Sequence, residues 1–339
     1  MKIVFNKLQT SKETIQVSLD GGSTYTPYVV SEIIETGIPL DDSQDYEKIH
    51  IKGSASVLKN LDVLKSIEIP ESITTTDDIF TYDLKKSTEF PKFINSITML
   101  EGLTSIGQYA FYDCRNLTSI DLPESLTSIG YYAFYNCTSL TSIDLPEGFT
   151  SIGDSAFNNC TSLTSITLPE SLTSIGGSAF YCCTNLTSIT LPESLTSIGG
   201  AAFNNCKNLT SIDLPESLTS IGQSTFQGCL NLTSITIPSS VTSIKDYAFA
   251  SCTSLTSITI PSSVTSISNY TFQGCSSLTS ITLPESLTSI GNYALSVCTS
   301  LKTINFKGTK EQWNAISKGT NWNTRCPSDM VINVDYQGE

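Results

Sequence analysis

The sequence predicts a repeat solenoid, a right-handed coil of parallel β-strands and short helical turns, preceded by a small β-rich N-terminal domain. Three observations predict this fold. The motif Leu-Thr-Ser-Ile recurs with a strict period of 23 residues. Each repeat contains two short stretches typical of strands, and no single repeat is able to enclose a core of its own. A strict period of this length marks a stacked array in which neighbouring repeats cover one another.

Nine near-identical repeats follow one another without a gap and share the sequence L-T-S-I-x-L-P-E-S-L-T-S-I-G-x-x-A-F-x-x-C-x-x. A weaker copy begins at Leu64, before the array, and another begins at Leu301, after it. The nine repeats start at Ile94, Leu117, Leu140, Leu163, Leu186, Leu209, Leu232, Leu255 and Leu278.

One repeat illustrates the local structure that its residues favour. Ile120 and Leu122 alternate with a polar residue, as in a strand, and Pro123 ends the ladder because it has no N–H to donate. A second short extended piece is predicted over Leu126 to Ile129. In the segment Tyr131 to Cys137 the apolar residues lie at helical spacing, which predicts one turn of helix.

The two ends of the chain depart from the repeat and divide it into four parts. We assign 1–60 to the small β-rich N-terminal domain and 61–93 to a degenerate first repeat that acts as an N-terminal cap. The nine repeats occupy 94–300, and 301–339 is the C-terminal capping segment. Caps are expected because the open ends of a stacked array need to be covered.

The N-terminal domain shows a hairpin pattern. Apolar residues alternate from Thr14 to Val30 on both sides of the turn Asp20-Gly21-Gly22, and His50-Ile51-Lys52 is a candidate for a further strand. Two interpretations stay open: a plain cap for the repeats, or an attachment device, since the segment resembles N-terminal modules of phage virion proteins.

The repeat sequence resembles the BspA-like, or Treponema pallidum type, subclass of leucine-rich repeats. The resemblance extends from about Leu64 to Phe306, and the stretch Phe306 to Ile316 resembles the closing segment common in such proteins from gut bacteria. It implies a leucine-rich-repeat solenoid in a surface or secreted protein that binds host matrix proteins or other bacteria.

Charge and hydropathy limit the partners. The chain carries a net charge of −14, whereas nucleic acid and anionic membranes are bound through basic surfaces. No apolar stretch approaches the roughly 20 residues that span a bilayer. Met1 to Leu19 lacks the apolar core of a secretory signal, so the localisation stays open between the surface or secreted state that the resemblance implies and retention in the cell.

The chain has 11 cysteines, and nine of them share one repeat position. We expect these nine to form an inward-facing column of free thiols, in which each thiol behaves as a small hydrophobe. Cys182 and Cys326 lie outside this position; we expect Cys182 to be exposed and leave Cys326 open between exposed and capped. The column comprises Cys114, Cys137, Cys160, Cys183, Cys206, Cys229, Cys252, Cys275 and Cys298.

The residue pattern gives no support for catalysis, a metal site or a cofactor. No C-x-x-C pair occurs and His50 is the single histidine, which disfavours both zinc binding and histidine-assisted nucleophiles. An active site needs a few unlike groups in unlike environments, but the carboxylates recur at equivalent positions, typical of a solvated face. They are Asp121, Asp144 and Asp213 at one position, and Glu124, Glu147, Glu170, Glu193, Glu216 and Glu285 at another.

Binding specificity in repeat proteins lies in exposed positions that vary while the scaffold stays fixed. Here these are the third, fourth and seventh residues of the segment from the second Ile to the Cys. Tyrosine dominates them and offers a large amphipathic contact area at low entropic cost. Two interpretations stay open: a recognition surface, or aromatic shielding of the outer turns. The tyrosines are Tyr109, Tyr112, Tyr131, Tyr132, Tyr135, Tyr247, Tyr270 and Tyr293.

The sequence therefore predicts a non-enzymatic binding or adhesion protein that presents an extended acidic, tyrosine-bearing surface to a protein or glycan partner, for example on a host matrix or cell surface. The alternative is a phage virion-associated or structural spacer protein that carries a receptor-binding repeat array.

Overall fold

The computed structural model describes residues 104–337 and, before them, only the backbone of seven short strands. The chain divides into two compact parts, residues 1–169 and 170–339, called here the N-terminal half and the C-terminal half. In both halves the described repeats form coils of a parallel-strand solenoid, as the sequence predicts, with two short strands in most coils.

The strands of the N-terminal half are β1 (Lys2–Ile3), β2 (Thr14–Ser18), β3 (Thr26–Val29), β4 (Ile38–Pro39), β5 (His50–Lys52), β6 (Ser66–Ile69), β7 (Ser96–Met99), β8 (Ser105–Ile106), β9 (Ser119–Asp121), β10 (Ser128–Ile129), β11 (Ser142–Asp144), β12 (Ser151–Ile152) and β13 (Ser165–Thr167).

The elements of the C-terminal half are β14 (Ser174–Ile175), β15 (Ser197–Ile198), β16 (Ser220–Ile221), β17 (Ser243–Ile244), β18 (Ser257–Thr259), β19 (Ser266–Ile267), β20 (Ser280–Leu283), β21 (Ser289–Ile290), β22 (Thr303–Phe306), helix α1 (Lys310–Ala315), β23 (Ser317–Lys318) and β24 (Val331–Asn333).

Strand pairing in the N-terminal half follows the repeat period. The first strands of successive coils pair in parallel as β6, β7 and β9, and β11 pairs with β13. The second strands pair as β8, β10 and β12. Equivalent residues stand opposite each other, for instance Ile129 and Ile152, so the 23-residue period of the sequence sets the register. Each Ile is buried while the Ser before it is at least partly accessible.

The C-terminal half contains ladders of the same two kinds. First strands pair in the order β18, β20, β22 and β24, and second strands pair in the order β19, β21 and β23. Two further second-strand pairs are β14 with β15 and β16 with β17. Where the first strand is shortest, single parallel bridges join Thr190, Asp213 and Thr236.

Threonine hydroxyls add a second set of bonds between coils. The Oγ1 of Thr127 donates to the carbonyl oxygen of Thr104 at 2.9 Å, and the Thr127 N–H donates to the same oxygen. The Thr164 hydroxyl and N–H share the carbonyl of Thr141 in the same way, at 3.1 and 3.0 Å. The exposed threonines therefore also join neighbouring coils.

The core of each half is a column of phenylalanines at one repeat position. Phe134 is fully buried between Phe111 and Phe157, with ring centroids 5.0 and 5.2 Å apart. In the C-terminal half the ring of Phe226 stacks in the same way on its two neighbours, at 5.7 and 5.5 Å. Stacked rings of this kind contribute about 0.5–1.5 kcal/mol per pair beyond the burial of their area. At the corresponding position of a later coil, Leu295 replaces the ring and is also buried.

The segment after the second strand differs from the single helical turn that the spacing predicts. It consists of consecutive turns with N–H to C=O bonds between residues three apart, such as Ala133 to Gly130 and Cys137 to Phe134. Tyr132 and Asn136 have φ of 55° and 63°, in the left-handed region, so an α-helix does not continue through them. The twisted backbone turns the N–H groups of Tyr132, Phe134 and Asn136 toward carbonyls of the next coil, at 2.7–3.0 Å. These bonds between coils replace helical bonds within the turn.

The segment after Leu301 extends the stack. Strand β22 is followed by α1, which begins with a capping box: the Thr309 hydroxyl accepts from the Gln312 N–H, and the Gln312 side chain accepts from the Thr309 N–H. Trp313 is buried, and its ring lies against that of Phe306 at 5.5 Å. Backbone bonds from Tyr293 and Leu295 then join the last regular coil to this segment.

In the N-terminal domain, β2 pairs antiparallel with β3 and with β5, and β1 pairs antiparallel with β4. The β2 and β3 pairing corresponds to the predicted hairpin, and β5 to the predicted strand at His50. The predicted turn between β2 and β3 lies outside the described residues, as does the degenerate repeat apart from β6.

Candidate functional site: the tyrosine surface

The five tyrosines of two adjacent coils meet in the N-terminal half and form what we call the tyrosine cluster: Tyr109, Tyr112, Tyr131, Tyr132 and Tyr135. The rings of Tyr109 and Tyr132 stack at 5.4 Å, and those of Tyr112 and Tyr135 stack at 4.8 Å. Tyr131 stands edge-on to Tyr132 at 4.1 Å. Since equivalent residues of adjacent coils lie side by side, two aromatic columns join into one patch.

Tyr131 is the most accessible ring of the cluster. It is 41% exposed, whereas the other four are half-buried. A hydrogen bond with the Tyr132 hydroxyl and the proximity of Tyr109 help raise the pKa of Tyr131 to about 12. The ionisation of Tyr131 is therefore coupled to its two tyrosine neighbours.

A ladder of polar side chains lies at the eighth position of the segment that runs from the second Ile to the Cys, directly before the column cysteine. The Asn136 side-chain amide donates to the Asp113 carboxylate, and Asn159 Nδ2 donates to Asn136 Oδ1 at 2.5 Å. Arg115 forms an ion pair with Asp113 at 2.8 Å. Sequence reasoning missed this ladder, although the 23-residue spacing of the three acidic and amide residues was a signal for it.

A second aromatic column lies in the C-terminal half. Tyr247 stacks on Tyr270 at 4.5 Å, and Tyr270 stacks on Tyr293 at 5.1 Å, with ring planes within 5° of parallel. Asn321 Nδ2 donates to the Tyr293 hydroxyl at 3.0 Å. The structure thus places the eight predicted tyrosines in two separate groups.

The unusual backbone of these tyrosines is a property of the coil. Counted from the second Ile of each repeat, the fourth residue has positive φ whether it is a tyrosine or a small residue. The eighth residue has positive φ as well. Backbone strain often accompanies function, but here it recurs in every described regular coil and is therefore not a sign of a site. Non-tyrosine examples are Ser155, Ser178, Ala201 and Ser224.

The nine column cysteines are buried and free, as expected. In seven of them the Sγ donates to the carbonyl oxygen of the phenylalanine column in the preceding coil, at 3.1–3.2 Å. Burial raises the pKa of thiols such as Cys229 and Cys275 to about 12. Protonated, apolar thiols of this kind are inert. Cys182 is half-buried, less accessible than expected; its φ is positive, and its N–H donates to the Asn204 carbonyl of the next coil at 2.8 Å. Cys326 is also half-buried.

The repeated carboxylates are exposed side chains, as the solvated-face interpretation predicts. Thr167 donates to the Asp144 carboxylate at 2.9 Å, and Ser239 donates to that of Glu216 at 3.2 Å. Within the part of the chain that the structure describes, no three His, Cys, Asp or Glu side chains come together as a metal site. The described residues also include no helix long and apolar enough to cross a membrane.

Comparison with protein families gives one match. The model of the BspA type leucine rich repeat region, with six copies, matches residues 86–210 and 196–317. Among curated protein sequences, none matches this chain.

Several solved structures are similar to the chain. A leucine rich repeat protein of T. pallidum is 35% identical, over 48% of this chain and 78% of that one, with a TM-score of 0.46. A leucine rich cell surface protein from Faecalibacterium prausnitzii is 30% identical, over 75% and 82%, with a TM-score of 0.42. The pneumococcal vaccine antigen PcpA is 18% identical, over 98% and 88%, with a TM-score of 0.52. At that identity PcpA shows the fold alone.

Proposed function

Because the chain belongs to the BspA-type leucine-rich-repeat family, we propose that it is an adhesion-type binding protein that presents its tyrosine cluster to a protein partner. Proteins of this family are typically binding scaffolds without catalytic activity, and leucine-rich-repeat proteins mediate protein–protein interactions. The tyrosine cluster is the observation that carries the proposal, because it departs from the scaffold and remains accessible.

The composition of the cluster suits a protein interface. Tyrosine is enriched among the residues that contribute most to binding, since it buries a large apolar ring and still offers a hydroxyl. In the cluster, neighbouring rings already restrain one another, with centroids 4.1–6.4 Å apart. Little side-chain entropy then remains to be lost on binding.

The charge of the chain favours a partner with a basic surface. Exposed carboxylates recur along the same half at Asp121, Asp144, Glu124 and Glu147, and the net charge is −14. Complementary charge speeds encounter and rejects acidic partners more than it adds affinity. We therefore expect the rate of association to fall as salt is added.

Exposure at a cell surface is supported by one relative. The F. prausnitzii protein is described as a cell surface protein, and the present chain covers 82% of it at 30% identity. A surface location would bring the tyrosine cluster into contact with host matrix or cell-surface proteins. The phage-spacer alternative depends on the N-terminal domain and gains no support from the described residues.

The test of the proposed interface is a binding screen with a matched control. The full chain is probed against an array of extracellular matrix and cell-surface proteins, and the strongest binder is measured with Tyr131→Ala/Tyr135→Ala and with Tyr181→Ala. Tyr181 occupies the same coil position as Tyr135, but Asn158 and Asn204 stand at that position in the adjacent coils, so no tyrosine there stacks on it. Loss of two interface tyrosines at about 2 kcal/mol each predicts a fall in affinity of at least 100-fold.

The control variant is expected to bind like the parent chain. Equal binding by the parent and the double variant, or an array without a binder, would overturn the proposal. Circular dichroism melting of both variants separates lost contacts from lost folding.

A further inference from the structure

A shallow groove of about 370 Å³ lies on the C-terminal half, at the edge of the second-strand ladder. Serines at the start of β19, β21 and β23, namely Ser266, Ser289 and Ser317, line one part of it. A second row of polar residues from the turn segments lines the rest. The groove presents hydroxyl, amide and carboxylate groups and almost no apolar side chain.

The second row is a ladder of one aspartate and two asparagines with fixed orientation. Asp246 Oδ1 accepts from the Asn269 N–H at 3.0 Å, and Asn269 Oδ1 accepts from the Asn292 N–H at 2.8 Å. Asn292 Oδ1 accepts from the Thr320 N–H at 2.7 Å. Because each side-chain oxygen is held by the backbone of the next coil, the amide groups have little freedom to rotate.

Several polar groups of the groove remain available to a ligand. The hydroxyls of Ser266, Ser289 and Ser317 and the Nδ2 of Asn292 make no hydrogen bond within the part of the chain that the structure describes. The Asp246 carboxylate keeps acceptor capacity beyond its bonds to Asn269, because each of its oxygens accepts one hydrogen bond there and a carboxylate oxygen has two lone pairs. The groove thus combines free donors and acceptors on a rigid base.

The tyrosines of the second aromatic column are adjacent in sequence to residues that line this groove. Each of its three tyrosines directly follows a member of the Asp246, Asn269 and Asn292 ladder. Burial raises the pKa of Tyr247, and Tyr270 and the charge of Asp246 raise it further. The preceding coil has a small residue, Ser224, at the tyrosine position, so no aromatic ring among the described residues covers that side of the column.

We propose that this groove binds a neutral glycan chain. Fixed amide, hydroxyl and carboxylate groups match the hydroxyls of sugars, and a tyrosine follows each of the three ladder residues in the sequence. The coils repeat at about 4.8 Å, the spacing of paired strands, so the groove offers a serine hydroxyl and a carboxylate or amide group at that interval along its length.

The charge of the groove selects against acidic glycans. Asp246 is a carboxylate within the lining, and no lysine or arginine is among the described residues that line the groove. Lys318 donates to the carbonyls of Trp313 and Ile316 at 2.8 and 3.1 Å, and Lys245 does not line the groove. Sulfate or uronate groups would meet no cation there.

This inference goes beyond the proposed protein interface, because it involves the other half of the chain and different residues. The test uses the full chain and isothermal titration with a panel of hexasaccharides: cellulose-, laminarin-, mannan- and chitin-derived neutral chains, an oligogalacturonate and a heparin fragment. We expect binding of at least one neutral chain and of neither acidic one.

Two substitutions locate the site. Asn292→Asp keeps the oxygen that holds Thr320 but removes the free Nδ2 donor, and Ser289→Ala removes one free hydroxyl. Each is expected to weaken binding by about fivefold, as for one lost hydrogen bond. The control is Ser220→Ala, because Ser220 starts β16 at the equivalent position but does not line the groove. This variant is expected to bind like the parent chain.

The inference is overturned if no neutral chain binds, if an acidic chain binds as well as a neutral one, or if Asn292→Asp and Ser289→Ala both bind like the parent. Loss of glycan binding in Tyr131→Ala/Tyr135→Ala would assign the glycan to the tyrosine cluster and reject the groove while leaving the proposed function intact. Failure of the protein screen alone would leave the groove supported.

Discussion

At the scale of single residues, Cys326 extends the cysteine column but differs from its members. Its Sγ donates to the carbonyl oxygen of Leu295 at 3.1 Å, the same bond that column thiols make to the preceding coil. It is only half-buried. A hydrogen bond with the Cys298 thiol lowers the pKa of Cys326 and, with burial, raises the pKa of Cys298. Two neighbouring thiols thus have opposite tendencies to ionise.

We predict that Cys326 is the first cysteine of the native chain to be alkylated. The thiolate is the reactive form, and a lowered pKa provides more of it at neutral pH. Iodoacetamide labelling followed by peptide mass spectrometry is expected to modify Cys326 first and Cys182 more slowly, because burial raises the pKa of Cys182. The rate at Cys326 is expected to fall as the pH drops through its lowered pKa.

The denatured chain is the control for this labelling, since all cysteines become equally accessible there. Rapid labelling of Cys229 or another column thiol in the native chain, or equal rates at Cys182 and Cys326, would contradict the assigned burial and ionisation.

At the scale of the coil, the glycine after the second strand allows neighbouring coils to approach closely, because it has no Cβ. A Cβ on Gly199 would lie 2.4 Å from the backbone nitrogen of Gly177, and one on Gly153 would lie 2.7 Å from the carbonyl carbon of Gly130. At Gly222 the nearest atom would be 3.1 Å away. The coils are therefore packed less closely at Gly222 than at Gly199 or Gly153. In the coil after Gly222, the equivalent residue is Lys245, which has a side chain.

We predict that Gly199→Ala destabilises the chain by about 2 kcal/mol, within the range for adding a methyl group to a closed site. The matched control is Gly148→Ala, because a Cβ there would meet only the Glu124 carbonyl oxygen at 3.9 Å. Its effect is expected to stay within about 0.5 kcal/mol. Urea unfolding measures both; equal free energies of unfolding for the two variants would show that the coils separate easily.

The predicted helical turn shows what the sequence of one repeat does not determine. Ala133, Phe134 and Cys137 all face the core, as helical spacing requires, and all are fully buried. The same facing is produced by two successive turns with left-handed residues at positions four and eight. Hydrogen bonds to the adjacent coil favour the two successive turns over a helical turn. The sequence of a single repeat carries no information about these bonds. The array context was needed to predict this element.

At the scale of the whole molecule, the period predicted most of the fold because one number sets every register. Once Ser128 pairs with Ser151, all other positions 23 residues apart are neighbours. The stacking of Tyr109 on Tyr132 follows from the same spacing. The period does not specify how side chains turn within a row, so the amide ladders and the serine-lined groove could not be predicted from it.

Repetition also separates scaffold from candidate site. The cysteines, the exposed carboxylates and the strained backbone recur in coil after coil, and each is explained by its place in the stack. The tyrosine cluster departs from this pattern, since the next coil has Asp154, Ser155 and Asn158 at the three variable positions. The central claim is that binding depends on these departures and stability does not.

The most direct test gives one coil the residues of its neighbour. Tyr131→Asp/Tyr132→Ser/Tyr135→Asn copies into the cluster the side chains that the following coil already carries in the same backbone. We predict that the melting temperature changes by only a few degrees, as for substitutions outside the core, while binding to the partner found in the protein screen is lost. Retained binding, or a chain that no longer folds, would contradict the claim.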